Sequence, residues 1–253
     1  MIDGDSFENL ALEQRGAVLH VSINRPKLLN ALDDQTLTEI AVAFDTVRTR
    51  ADIRIVVLGG NGRAFSAGAD LRNPPGRPRP ESSFRQRRSV AETGHRACQA
   101  IAACEAVTVA RVHGHAIGGG ALLAISCDFR IGAEDVEFSL PEVKLGQPLS
   151  WGGTPLLIKE IGAARAREMI ITGQPVGARR AEQFGLLHTV VPASALNAEV
   201  ASWTSHLLGI PEGPVAATKQ QFQRYAAATR LADLSETDSD IFTAMIETGA
   251  TAR

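Results

Sequence analysis

Four stretches rich in β-branched apolar residues recur along the chain: "AVLHVSI" (17–23), "IRIVVLGG" (53–60), "VTVARVHG" (107–114) and "CDFRIGA" (127–133). Each predicts a strand. Between the first two, "DDQTLTEIAVAFDTVRTR" sets Leu37, Ile40, Ala41, Phe44 and Val47 on one helical stripe, with Asp33 or Asp34 placed to cap it. A short apolar run, Gly119–Ile125, predicts a helix between the last two strands. From residue 154 the period is helical through "TPLLIKEIG", "ARAREMIIT" and "ARRAEQFGLL", and "VVPAS" (190–194) closes the strand-like part. "EGPVAATKQQFQRYAAATRL" then opens with Pro214 at a helix start. The alternation predicts an α/β core with parallel pairing over residues 1–192, followed by a helical region, 193–253, suited to subunit contacts.

Composition narrows the class. The chain has 253 residues, 44% hydrophobic and 21% charged, with a net charge of −2, so it has a sizeable core and no general attraction to nucleic acid or membrane. The acidic start "MIDGDSFENL" has no basic, apolar leader pattern, and no apolar run approaches the roughly 18 residues of a membrane span. Cys98, Cys104 and Cys127 show no paired metal spacing, so free thiols in a reducing, cytoplasmic setting are expected. One segment departs from the average: "RNPPGRPRPESSFRQRR" (72–88) has six arginines against one glutamate and four prolines. It is either a solvated surface loop or a lid whose cations meet a phosphorylated ligand.

Three adjacent glycines, Gly118, Gly119 and Gly120, stand ahead of Ala121, Leu122 and Leu123. Glycine costs about 1 kcal/mol in a helix relative to alanine, so their presence points to close approach of something to the backbone. Neither the dinucleotide fingerprint nor the phosphate-loop motif occurs. "AFSAG" (64–68) resembles a nucleophile elbow, but "GGNGR" separates Ser66 from the strand, which argues against a serine hydrolase. His113 and His115 lack a third ligand in an obvious position, so no metal is expected. The loops "GRAFSAGADL" (62–71) and "GHAIGGG" (114–120) could each present a bare backbone N–H, and two such donors on one oxygen form an oxyanion hole.

Together these loops resemble the enoyl-CoA hydratase/isomerase, or crotonase, family. "NRPKLLNAL" (24–32), "VHGHAIGGGALLAISCDFRIGAEDVEFSLPEVKLG" (112–146), "GGT" (152–154), "ARRAEQFGLLHTVVP" (178–192) and "GPVAATK" (213–219) follow in the family's order. The resemblance implies a spiral of β-β-α turns with a C-terminal helical trimerisation region, a homotrimer or dimer of trimers, and an acyl-CoA thioester as substrate. No cofactor is implied beyond the coenzyme A of the substrate. It carries the oxyanion donors onto the amides of Ala69 and Gly119. Ala67, Asp70, Leu71, Arg72, Gly118, Trp151 and Lys27 would line the CoA ester.

The family's hydratases hold two glutamates; here those positions are Leu122 and Glu142. Hydration needs a held water and a proton for the α-carbon, whereas a 1,3-proton shift needs one carboxylate, so isomerase-type chemistry is expected. The alternatives are a hydratase or hydrolase of an unusual acyl-CoA, and a CoA-ester-binding protein with little or no catalysis. Ser150 and Trp151 replace residues that shape the acyl pocket in relatives. The chain ends at "ETGATAR", without the family's "AFxEKR"-like tail, which leaves CoA contacts through that tail unassigned.

Overall fold

The computed structural model describes residues 7–228 and residue 241. The C-terminal "ETGATAR", and most of the chain beyond Ala228, lie outside the described residues.

Each predicted strand forms. The main sheet takes β1 (Leu10–Arg15), β2 (Val18–Ile23), β3 (Ile55–Gly60), β4 (Val107–Val112), β6 (Phe129–Ala133) and β9 (Thr189–Val191), in that spatial order. β1 joins β2 antiparallel as a hairpin, and every other neighbour in this sheet is parallel. A second sheet of β5 (His115–Ile117), β7 (Glu137–Ser139) and β8 (Val176–Gly177) stands beside it. β1, LALEQR, was not predicted because it lacks the β-branched run of the other strands, and the strands of the second sheet were not because two or three residues carry no readable period.

Alternation along the strands divides the core in two. Leu19, Val21, Val56, Leu58, Ala110 and Val112 face one cluster; Val18, Ile55, Val57, Val107 and Val109 face the other. The first face is covered by α1 (Asp34–Val47), which buries Leu37, Ile40, Phe44 and Val47, and by α3 (Thr93–Ala102). Asp33 caps α1, its carboxylate accepting from the Thr36 amide at 2.8 Å. The opposite face is closed by α7 (Leu196–Leu208) through Leu196 and Val200. Helix α8 (Glu212–Ala228) is tied to the sheet by the buried Lys219, whose Nζ donates to Asp128 at 2.6 Å and to the Ala106 carbonyl at 2.7 Å.

Two helices went unread. α2 (Phe84–Ala91) starts at a Ser83/Gln86 capping box and buries only Ala91, so it has no apolar stripe to see. α3 buries Gly94, Ala97, Cys98 and Ile101 at helical spacing, a stripe made mostly of small residues. The arginine-rich segment therefore ends in a helix. Arg87 reaches the carbonyls of Ser82 (2.9 Å) and Pro80 (3.2 Å), and Arg88 pairs with Glu92 at 3.1 Å. These two cations brace their own segment, which weakens the lid expectation. The three cysteines are buried and free, and burial pushes their thiols above the ordinary value.

Candidate active site

The loop leaving β3 is held by buried Asn30, whose side-chain amide donates to the carbonyls of Asn61 and Ala64, each at 2.8 Å. Ser66 continues the brace. Its hydroxyl donates to the Asn30 carbonyl at 2.8 Å and accepts from the Gly68 amide at 3.2 Å. That hydroxyl is fully engaged within the loop, so Ser66 is a structural serine. The backbone of Ser66 also bridges Ala116 of β5, which lays the 66–69 segment parallel to the 116–119 segment. Three residues beyond that bridge, along both segments, stand Ala69 and Gly119.

Local bonding leaves each of these amides without a partner on its own segment. Leu32 bonds to the residues on either side of Ala69, donating to Gly68 and accepting from Asp70, each at 2.8 Å, so the Ala69 N–H faces away from Leu32. Ala69 itself is exposed. Gly119 begins α4 (Gly119–Ile125), where an amide has no partner one turn earlier. Asp70 holds this arrangement from behind. Its carboxylate pairs with Arg25 at 3.0 Å and accepts from the amides of Arg72 and Asn73. Burial would raise its pKa, but those amides and the guanidinium outweigh it and hold the carboxyl below its usual range.

Each of the three glycines admits a different neighbour. Gly118 has φ +51°, and a Cβ there would lie 2.7 Å from Oε1 of Glu142. A Cβ on Gly119 would lie 2.1 Å from Cζ3 of Trp151, and one on Gly120 would lie 2.7 Å from the Ser66 Cβ. Trp151 thus already occupies the space that a side chain at Gly119 would take.

Glu142 opens a single 3-10 turn, Glu142–Leu145, directly after Pro141. The residue is half-buried, yet its Oε2 is buried without a hydrogen-bond partner among the described residues. Burial pushes this carboxyl up to about 7. Leu122 is 2% exposed, and a Cβ on Gly153 would lie 2.9 Å from Leu122 Cδ2 and 2.7 Å from Leu149 Cδ2, so Leu122 belongs to an apolar cluster with Leu149. The Ser150 carbonyl accepts from the Gly153 amide at 3.0 Å within the turn that presents Trp151.

Of the predicted site residues, Gly118 lies against Glu142 and Gly119 lies against Trp151. Ala67, Ala69, Asp70, Leu71 and Arg72 form the adjacent segment, and Leu71 is 84% exposed, an unusual placement for a leucine. Lys27 is exposed in the 3-10 turn Pro26–Leu28, whose following residue, Leu29, accepts from the Ala67 amide. His113 is held to the Gly62 carbonyl at 2.9 Å through Nε2, while its Nδ1 is buried without a partner among the described residues. Sequence reasoning missed Gly94, whose place on α3 against Trp151 has no local signal.

A family model described as enoyl-CoA hydratase/isomerase matches residues 13–252. A short-chain-enoyl-CoA hydratase of Clostridium acetobutylicum is 35% identical over 75% of this chain and 71% of its own. The structure of an enoyl-CoA hydratase/isomerase from Xanthobacter autotrophicus superposes with a TM-score of 0.85 at 29% identity, covering 97% of this chain and 89% of that one. A Thermobifida fusca protein solved in complex with CoA superposes with a TM-score of 0.77 at 29% identity, covering 90% and 95%.

Proposed function

The chain belongs to the enoyl-CoA hydratase/isomerase family, and we propose that it shifts the double bond of an enoyl-CoA with Glu142 as its single proton-transferring group. The thioester oxygen would accept from the amides of Ala69 and Gly119. Glu142 removes a proton from C2 of a 3-enoyl-CoA, and the electron pair of that C–H bond moves onto the thioester as a dienolate. The same proton returns at C4, leaving the double bond between C2 and C3. An amide donor aimed at a developing enolate oxygen is worth about 3–4 kcal/mol, and a positioned carboxylate adds roughly 100- to 10,000-fold.

The observation that carries this proposal is the buried, unpartnered Oε2 of Glu142, on a carboxyl whose other oxygen lies against Gly118. A carboxyl at about 7 is poised both to take and to return a proton near neutral pH. Leu122 and Leu149 offer no second carboxylate and no polar grip for a reacting water. The segment from Ala67 to Arg72, with exposed Leu71, would follow the pantetheine, and Lys27 would meet a phosphate. The α7–α8 region would supply trimer contacts. Conversion of a 3-enoyl-CoA to its 2-enoyl isomer, with exchange of α-deuterium lost in Glu142→Gln, tests the assignment. Unchanged exchange in that variant overturns it.

A second reading, hydration, is favoured by the names of the curated relatives, which are hydratases. It predicts that crotonyl-CoA is hydrated at least as fast as a 3-enoyl-CoA is isomerised.

A further inference from the structure

Trp151 is constrained both in its backbone and by what its indole packs against. It is a bulky residue at φ +57°, followed by Gly152 at φ +72°, in a region that large side chains rarely enter. Such a backbone persists only when its surroundings hold it there. Two glycines from different helices make the room. A Cβ on Gly94 of α3 would lie 1.9 Å from the indole Cε2 and 2.3 Å from Cδ2; a Cβ on Gly119 of α4 would lie 2.1 Å from Cζ3 and 2.5 Å from Cη2. The indole therefore spans the gap between α3 and α4, with its ring-fusion atoms on Gly94 and its far edge on Gly119.

We propose that Gly94 and Gly119 seat the Trp151 indole as the end wall of the acyl pocket, so that the site accepts short acyl chains and excludes long ones. The proposal rests on the acyl-CoA reading given above. The Gly119 amide is the donor assigned to the thioester oxygen, so the wall stands one residue from the carbonyl that the acyl chain grows from. Leu122 and Leu149, which flank Gly153 two residues after Trp151, continue the same surface in apolar form. A chain extended toward the α3–α4 gap meets the six-membered ring. Gly94 acts through Trp151 and is a positioning residue; Trp151 itself sets specificity.

The test is a calorimetric titration of the full chain with saturated butyryl-, octanoyl- and dodecanoyl-CoA, which bind without net turnover. Wild type should lose about tenfold or more in affinity from butyryl to octanoyl. Trp151→Ala should level or reverse that ranking, with Trp151→Phe between the two. Because Trp151 and Trp203 are the only tryptophans, a Trp203→Phe background isolates the indole fluorescence. In it, butyryl-CoA should quench Trp151, and Gly94→Ala should shift the emission to the red and shrink that quench. Wild type that binds all three chains equally overturns the wall, as does an unchanged ranking in Trp151→Ala. Binding of no acyl-CoA at any length overturns the acyl-CoA reading and the wall together, whereas a failure confined to the ranking leaves that reading standing.

Discussion

Asp70 and Glu142 are two carboxylates among the candidate site residues, and their environments push them in opposite directions. Asp70 meets Arg25 and two backbone amides, and its carboxyl sits below the ordinary range. Arg25 is itself shared with Asp33 at 3.1 Å, so the charges close a small network. Glu142 has a buried, unpartnered Oε2 and a carboxyl that burial raises to about 7. A satisfied carboxylate is a brace: it fixes the 66–73 backbone and has no capacity left for a reacting proton. An unsatisfied one is held ready for a partner that the folded chain does not itself supply.

The largest expected effect breaks the comparison on the chemical side. Glu142→Gln should lower α-proton exchange by roughly 100- to 10,000-fold while leaving the affinity for a CoA ester nearly intact. Deuterium loss from a labelled acyl-CoA, measured beside binding, separates the two. The same variant has a stability signature. Because the folded pKa of Glu142 lies above its unfolded value, the folded state favours the protonated acid. Its stabilising contribution is present below about 4.5, fades as pH rises through about 7, and is absent above. At pH 8 the glutamine should be at least as stable as the glutamate by urea denaturation.

Asp70→Asn should do the reverse. Removing one member of a largely buried pair costs about 3 kcal/mol, at the low end of such losses, because Arg25 keeps Asp33. The sign follows from the depressed pKa: Asp70 stabilises the fold above its unfolded pKa, and that contribution disappears as pH falls through the folded one. Urea midpoints at pH 7 and at pH 3 should therefore differ between wild type and variant far more at the higher pH. Equal losses at both would show that the carboxylate charge is not what braces the loop.

A smaller effect sharpens the role of Glu142 in the intact protein. As a base it must be ionised, so kcat/KM for isomerisation should rise with pH, about tenfold per unit, and level off above about 7. A limb centred near 4.5 would mean that Glu142 is an ordinary solvated carboxylate when substrate is absent.

The two carboxylates were not equally legible before the structure was known. The parallel strands, the α1 stripe with its Asp33 cap and the small-residue loops are all written as local pattern, and they suffice for the α/β core. Glu142 could be picked out by its place after Pro141 in a known motif. The unpartnered Oε2 could not, because burial without a partner is a property of the packed chain and not of the local motif. Only packing reveals that Gly118 makes room for Glu142, Gly119 for Trp151 and Gly120 for Ser66. Gly94 lies twenty-five residues from Gly119, and no periodicity links a glycine on α3 to an indole after β7.

The smallest effect concerns Leu122, the position where a second carboxylate would make the site symmetrical. Leu122→Glu should raise hydration of crotonyl-CoA, but only severalfold. A carboxyl introduced at buried Leu122, beside Leu149, is taken out of water among apolar side chains, so it stays largely protonated near neutral pH. A protonated acid can donate to the α-carbon, yet a water must also be held in line, and Trp151 and Leu149 offer it no polar grip. Geometry not shaped for that water forfeits most of the gain available from proximity. The rise should therefore grow with pH, as the new carboxyl ionises, and fall away in Leu122→Gln, which has the same size and no acid. Hydration is followed as loss of the enoyl absorbance for wild type and both variants. A wild type that already hydrates crotonyl-CoA faster than it isomerises a 3-enoyl-CoA would show that one carboxylate suffices for water, and that Leu122 is no obstacle to it.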